Sequence, residues 1–426
     1  MSTLPATEAL SAEHLESTRY VSGLSSPLMP EVGVLALVPD IWHWQWQPRH
    51  HVMSRLARYF NVVWMNPAEP WRRSLTLRNF LARKSEDMPF ANRGFVVHNS
   101  SPFLPRFYSP DALAKALWRQ RIKNARNILL KKGASKIVLY LWRPEFAGVL
   151  DLQPDLACYH IDDEYSFSDV DQPIDPVEAA LIKKVGQVFI HSPKLLEKKG
   201  KINPHTAFIP NGVDFALYAD VRPEPADLAR IPRPRIGYTG HLKRQLDWPL
   251  LLDLAKKHAQ WSFVFVGPQN PHPEINAWIQ QLAALGNVFF LGSKTVQELG
   301  GYPQHFDVCV MPYKRDDYTK YIYPLKLHEY LASGRPVVGT PIASLESFGD
   351  LILLPSNAEE WSGALSQALD GSANSAEQRS RRQNLAKQHD WEVLVWQVAG
   401  LIADRLGPQV SEELRRRSEA RRKQIS

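Results

Sequence analysis

The feature that most limits what this chain can fold into is a repeated alternation of short apolar runs with helix-length amphipathic segments, interrupted once. In the first half, Val32–Val38, Val62–Met65, Phe95–Val97, Lys136–Leu141, Ala157–Ile161, Val188–His191 and Ala207–Pro210 read as strands. Helices fit between them from Pro48, over Ala112–Lys132, over Val177–Lys184 and from Pro193. Runs that are apolar throughout need cover on both faces, which a parallel sheet between helices supplies. Asp214–Pro234, rich in proline, alanine and acids, then reads as a linker. A second alternation follows, with strands at Arg235–Gly240, Phe263–Val266, Val288–Leu291, Val308–Met311, Val337–Val338 and Leu351–Leu354. Its helices fall over Trp248–His258, Glu274–Leu285, from Pro324 and over Ala358–Leu369, before a long helical stretch, Ser380–Leu406, and a basic tail. The pattern therefore predicts an α/β protein with a disordered lead at 1–29 and a first domain at 30–213. A linker at 214–234, a second domain at 235–379 and a closing helical segment at 380–426 complete it.

With 426 residues there is enough chain for two cores. No apolar run approaches the roughly 20 residues of a membrane span. The first residues lack the basic start and apolar core of a signal peptide, so a non-secreted protein is expected. Cys158 and Cys309 each sit in a strand-like run, where a free thiol behaves as a small hydrophobe; a reducing, cytoplasmic setting fits. Charge is uneven: Arg49 to Arg143 holds 19 Lys/Arg against four Asp/Glu, a balance of +15, whereas Asp151 to Gly200 holds five against ten, or −5. Such a basic stretch attracts anions: nucleic acid, an anionic membrane surface or a phosphorylated substrate.

Tyr321–Pro341, YIYPLKLHEYLASGRPVVGTP, carries the densest signals. Pro324 suits the first turn of a helix running to Ser333, and Gly334 is placed to end it in a left-handed conformation. Leu327 and Leu331 share one stripe of that helix, while Lys326 and Glu329 lie together on the opposite side. A helix start offers unpaired N–H groups and about half a positive charge, which suits a phosphate. Lys326 adds a full charge there, and Glu329, one turn deeper, can accept bonds from two neighbouring hydroxyls, as on a ribose. The plainer alternative is a surface helix whose Lys/Glu pair is worth a few tenths of a kcal/mol.

Four segments in order resemble the retaining nucleotide-sugar glycosyltransferases of the GT-B fold, the group 1 or family 4-like enzymes that include those of bacterial polysaccharide biosynthesis. They are IPNGVDFALY (209–218), IGYTGHLKRQLDWPLLLDLA (236–255), WSFVFVGP with NVFFLGS and FDVCVMPY, and PLKLHEYLASGRPVV (324–338). The resemblance implies two Rossmann-like domains facing across a cleft, with a last helix crossing back to the first. It implies that Glu329 holds the donor ribose and that the N–H groups of Leu325 and Lys326 face the diphosphate. Lys243 or Arg244, after the Gly240 turn, would neutralise that diphosphate as it leaves, with Lys326 beside it. Ser293 and Lys294 would grip the base, and Asn211 and Gly212 would lie near the phosphates. One departure stands out: where the family commonly has a first glutamate, eight residues before Glu329, this chain has Tyr321. Asp316 or Asp317 is the nearest acidic substitute.

Two loops of the first domain are candidates for the acceptor side. HWQWQPRHH supplies His43, His50 and His51, which near neutrality transfer protons or bind phosphate, or are surface histidines at a helix start. HIDDEYSFSD places three acids at the carboxyl end of a buried parallel strand, where Asp162 or Asp163 could orient a hydroxyl or take its proton, or cap the next segment. The reading is thus a glycosyltransferase moving a sugar from a nucleotide-sugar donor, its co-substrate, to a saccharide or lipid-linked acceptor. It implies no metal, no other cofactor and no nucleic acid, with reversible contact at the inner face of an anionic membrane. An epimerase of the same fold, a metal site on Asp162–Glu164 and a degenerate protein binding anionic polymer are the alternatives.

Overall fold

The computed structural model describes residues 26–43, 46–74, 86–87, 94–167, 170–269 and 272–425. Residues 1–25 of the expected lead, and parts of both acceptor-side loops, lie outside them. The first sheet contains β1 (Met29–Leu37), β2 (Phe60–Met65), β3 (Glu86–Asp87), β4 (Phe95–His98), β5 (Lys136–Leu141), β6 (Leu156–Ile161), β7 (Gln187–Ile190) and β8 (Thr206–Phe208). Their order is β3-β4-β2-β1-β5-β6-β7-β8, parallel except that β3 runs against β4. The second sheet, ordered β11-β10-β9-β12-β13, is parallel throughout and contains β9 (Arg235–Thr239), β10 (Ser262–Val266), β11 (Val288–Phe290), β12 (Val308–Met311) and β13 (Val337–Gly339).

Strand alternation decides what covers each face of the first sheet. Val34, Ala36, Val62 and Trp64 point into one core, which the helix Trp391–Leu406 closes with Trp391, Leu394, Val395 and Val398. Leu35, Leu37, Val63 and Met65 point the other way, onto Ile122, Ala125 and Leu129 of the helix Asp111–Lys131. The closing helix thus does cross back to the first domain. It is not one helix, however: Ala376–Gln388 and Trp391–Leu406 are separated at His389-Asp390, where the chain leaves the second domain, and Asp390 caps the second piece through the Glu392 N–H. A third helix, Pro408–Ile425, follows.

Two further expectations change. The segment 214–234 is no open connector: it contains the helix Phe215–Ala219, and Leu217, Tyr218, Leu228 and Ile231 are buried in the second core. Its apolar residues are spaced without a period, so burial left no pattern to read. Leu351–Leu354 is not a strand, because it meets β13 only through Leu353, whose N–H donates to Val337 and whose carbonyl accepts from Gly339.

The two crossings between domains hydrogen-bond to each other: the Val213 N–H donates to His389 and the Trp391 N–H donates to Val213, both at 3.0 Å. Trp391 fills the first core at that point. Trp391→Ala should therefore cost about 3–5 kcal/mol, the scale of emptying a buried tryptophan site, and thermal melts should show the first domain weakened.

Candidate active site

The carboxyl ends of both parallel sheets open into one interdomain cavity of about 380 Å³. Open α/β sheets bind ligands at this end of their strands. The first-domain wall consists of Trp46–Arg49 after β1, Arg143 after β5, Asp162 and Asp163 after β6, and His191 after β7. The second-domain wall consists of Thr239–His241 and Lys243 at and after the end of β9, Leu299, Tyr313 after β12, Tyr318, and the segment from Tyr321 to Lys326 with Glu329 behind it.

The second-domain wall is built around a lysine and two glycines. The helix starts at Leu325, one residue later than expected, with Pro324 as its extended N-cap, and ends at Gly334 (φ 75°). Lys326 in its first turn lies over the Tyr238 ring and reaches the β9 turn, where a Cβ on Gly240 would sit 2.5 Å from the Lys326 Nζ. Gly240 itself is left-handed, at φ 127°, and its carbonyl oxygen would be 2.2 Å from a Cβ on Gly267. Only glycines allow this approach. Burial, and Lys243 nearby, push the Lys326 ammonium down to about 8. Burial lowers Lys243 too, opposed by Asp163 across the cleft. Glu329 is raised by burial, against the pull of Lys326 and a hydrogen bond from Tyr218. Two desolvated cations and a carboxylate one turn behind them face the cavity. Such a wall favours an anion with hydroxyls beyond it.

On the first-domain wall the three acids diverge. Asp162 is held by Arg49 on one oxygen and by the Tyr165 hydroxyl on the other, and Arg49 also pairs with Asp40. Glu164 turns inward onto Lys199 at 3.0 Å, both side chains fully buried, with Glu178 on the other side of that lysine at 2.9 Å. Asp163 accepts the Glu164 N–H and lines the cavity, its pKa raised by burial and then by Asp162. The partners of these acids point them to three different places rather than to one cation.

The position that departs from the family pattern has another use here. Tyr321 packs into the first domain's core and donates its hydroxyl to Asp171 at 2.7 Å. Lys198 (2.7 Å) and Lys320 (3.0 Å) meet the same carboxylate, so Asp171 joins the two domains. Asp316 caps the turn at Thr319 and Asp317 pairs with Lys320; neither is among the cavity walls.

Of the residues expected in the site, Gly240, Lys243, Leu325, Lys326, Glu329, Asn211, Asp162 and Asp163 are brought to the cavity. Asn211 spends its amide on the Tyr323 carbonyl, at 2.7 Å, tying the domain junction to the segment before the helix. Gly212 is not on the walls; it packs under Trp391 and His389. Arg244 points away to Glu274 at 3.6 Å. Ser293 and Lys294 stay outside the walls, at the β11 edge, where Lys294 pairs with Asp227 at 2.8 Å; the preceding Gly292 carbonyl accepts from Gly267. The three histidines are not brought to the cavity. His43 is exposed. His50 is buried among Trp42, Trp46 and Trp64, which pushes it down to about 4, and His51 stacks on Trp391. Sequence reasoning missed Arg49, Arg143 and His191. His191 directly follows β7, and its Nδ1 meets the Ile161 carbonyl at 3.0 Å. The position of Arg143 and His191 just beyond parallel strands was the available signal; Arg49 was masked by the histidines around it.

Residues 233–371 match the family described as glycosyl transferases group 1. A curated relative, the putative teichuronic acid biosynthesis glycosyltransferase TuaH of Bacillus subtilis, is 28% identical over 237 residues, 53% of this chain and 58% of that protein. The match thus spans little more than half the relative's length. Among solved structures, a trehalose-6-phosphate protein from E. coli bound with UDP-2-fluoro glucose superposes with a TM-score of 0.63 at 12% identity, over 88% of this chain and 99% of that one. A glycosyltransferase from Rickettsia africae gives 0.62 at 12% identity, over the same 88% and 99%. These likenesses show the fold: two Rossmann-like domains in the GT-B arrangement.

The Asp171 junction gives a pH-dependent expectation. Lys198 foremost, then Tyr321 and Lys320, hold its carboxyl well below the usual range. A depressed carboxyl stabilises the joined state fully above its ordinary pKa of about 3.9 and loses that contribution as pH falls through its folded value. Asp171→Asn should lower the melting temperature at neutral pH and widen the cleft in small-angle scattering. The difference from the unaltered protein should shrink in strong acid; an equal difference at both pH values would assign it to something other than this charge.

Proposed function

We infer, from a second domain that belongs to the group 1 glycosyl transferases in a chain of GT-B fold, that the protein transfers a glycosyl group from a nucleotide-sugar donor to a saccharide or lipid-linked acceptor. The observation that carries this is the second-domain wall: Lys326 at a helix start, Lys243 from the loop after β9 on the same wall, and Glu329 one turn deeper. Glu329 binds the donor ribose in this reading, and the N–H groups of Leu325 and Lys326 meet the diphosphate. Lys243 and Lys326 neutralise that diphosphate as the bond from the anomeric carbon to its oxygen breaks. The base lies toward β11, against backbone groups near Ser293 and Lys294. On the other wall, Asp163 takes the proton of the acceptor hydroxyl as its oxygen bonds to the anomeric carbon, with retention of configuration. A carboxyl raised by burial suits that task better than Asp162, whose oxygens Arg49 and Tyr165 occupy. The protein works without a metal or other cofactor, in the cytoplasm, in synthesis of a cell-surface polysaccharide or glycolipid. It reaches a lipid-linked acceptor by attraction to the anionic inner membrane face; among the described residues no helix is long and apolar enough to cross a membrane.

Turnover of nucleotide sugars with and without acceptor tests the reading. Consumption only with acceptor supports transfer, isomerisation of the donor alone supports an epimerase, and no turnover despite nucleotide binding supports the degenerate alternative that Tyr321 suggests. Glu329→Ala should weaken nucleotide binding by about 1.5–3 kcal/mol, the scale of a hydrogen bond to a charged group. Calorimetry showing undiminished affinity in the folded variant would remove Glu329 from the donor site. Transfer should also persist in excess chelator, because the two lysines and the helix start supply the positive charge; complete loss, restored by a divalent cation, would count against this assignment of charge.

A further inference from the structure

We propose that the segments 69–72 and 103–108, after β2 and β4, are a membrane-insertion surface, through which Trp71, Phe103 and Tyr108 enter the headgroup layer of an anionic leaflet; this rests on the reading of a lipid-linked acceptor. Large apolar side chains on a protein surface usually occur singly. Here Trp71, Phe103 and Tyr108 are 44%, 68% and 73% exposed and come from two loops stapled together. The Arg106 N–H donates to Glu69 at 2.8 Å, the Trp71 N–H donates to Arg106, and Phe107 stacks parallel on Trp71. The second loop is held from beneath. Arg121, buried in the helix Asp111–Lys131, donates to the carbonyls of Leu104 (3.1 Å) and Pro105 (2.6 Å). Burying a guanidinium is costly unless it is well bonded, so this contact fixes the loop that exposes Phe103 and Tyr108.

Charge complementarity selects the partner. Arg72 lies over the Trp71 ring at 5.4 Å and Arg106 over the Tyr108 ring at 5.0 Å. Aromatic rings paired with cations suit the boundary between acyl chains and phosphates. A platform for stacking sugars needs open ring faces, and here Arg72 and Phe107 lie against the Trp71 ring and Arg106 against that of Tyr108. The placement suits the acceptor as well. Both loops leave the carboxyl ends of their strands, as the Asp163 loop does, and β4 lies four strand spacings from β6, roughly 19 Å. The basic tail is placed otherwise: Arg417 meets Glu31 and the Leu28 carbonyl at the amino end of β1, on the far end of the sheet. The raw charge of the first domain is also partly spent, since Arg49, Arg55, Arg58, Lys115 and Arg119 have acidic partners.

The test is co-sedimentation of the full chain with phosphatidylcholine vesicles, with and without phosphatidylglycerol, at low and high salt. The comparison is with the surface variant Trp71→Ser/Phe103→Ser/Tyr108→Ser and with the tail variant Arg415→Ala/Arg416→Ala. Calorimetric binding of a nucleoside diphosphate reports the donor site separately. The expected result is binding of the unaltered chain to anionic vesicles that partly survives high salt, undiminished in the tail variant. Partition should fall roughly tenfold or more in the surface variant, the scale of losing buried aromatic area, with nucleotide affinity retained. Equal partition of the surface variant would overturn insertion while leaving charge-driven docking standing. Failure of the unaltered chain to bind any vesicle would overturn both. Capture of a soluble anionic polysaccharide through these same three side chains, without vesicle binding, would assign the surface to glycan instead. Loss of nucleotide binding in the unaltered chain would strike the donor reading and not this one.

Discussion

The cleft exists because the chain passes between its domains twice and the two passages are paired. Val213 exchanges hydrogen bonds with His389 and Trp391, and Asp390 accepts the N–H groups of both Phe215 and Glu392. Backbone groups that leave one sheet for another have no strand partner, and an unpaired buried N–H or carbonyl is expensive. Pairing the passages with each other removes that cost and makes one compact hinge. Trp391 then anchors the hinge in the first core, while Arg382, bonded to the Gly334 carbonyl, ties the preceding helix to the end of the Leu325–Ser333 helix. The donor-side helix is therefore connected to the hinge through packed structure rather than through a loose connector. Asp171, Lys320 and Tyr321 give the domains a second joint, on the opposite strand edge of the first sheet from β4.

Between these joints the walls carry opposite tendencies. Burial lowers the readiness of Lys243 and Lys326 to hold a proton, and Lys243 adds to the effect on Lys326. Asp163 is pushed toward its neutral form by burial and by Asp162. Each wall thus holds charge at a cost that a ligand of the opposite sign removes, and the cost is larger where water is excluded. In the proposed reading a diphosphate satisfies the lysine wall, and an acceptor hydroxyl that gives up its proton satisfies the acidic one. The Lys199 pair with Glu164 and Glu178 belongs to the same arrangement: by taking Glu164 into the interior it leaves Asp162 and Asp163 at the cavity, and Asp162 is already held by Arg49 and Tyr165.

The central strands were legible in the sequence because they are covered on both faces and so are apolar for most of their length; β5 and β12 match the expected runs to the residue, whereas β3, Glu86-Asp87, offered no apolar run. The Leu325 helix was legible because stripe, cap and terminator agree. What escaped was set by tertiary contact. The break at His389-Asp390 is dictated by the route of the chain between domains, which helical periodicity does not record. The histidine-rich loop looked chemical, yet burial among tryptophans makes His50 a neutral core residue, whereas Arg49 beside it, surrounded by noise, is the residue that reaches Asp162. Exposed aromatics after β2 and β4 gave no pattern at all, since only the fold brings Trp71 and Phe107 together.

The tyrosine at position 321 shows how one substitution can move a task between domains. With tyrosine there, the ring packs into the first core and the hydroxyl takes hold of Asp171, so the nearest carboxylate now comes from the opposite domain and is engaged by three donors. The side chain thereby becomes part of a joint that holds the walls together. A cleft joined in this way gains preorganisation at the expense of freedom to open. In the proposed reading, sugar selectivity rests on groups that face the cavity, among them Arg143, His191 and Tyr318, rather than on a glutamate pair.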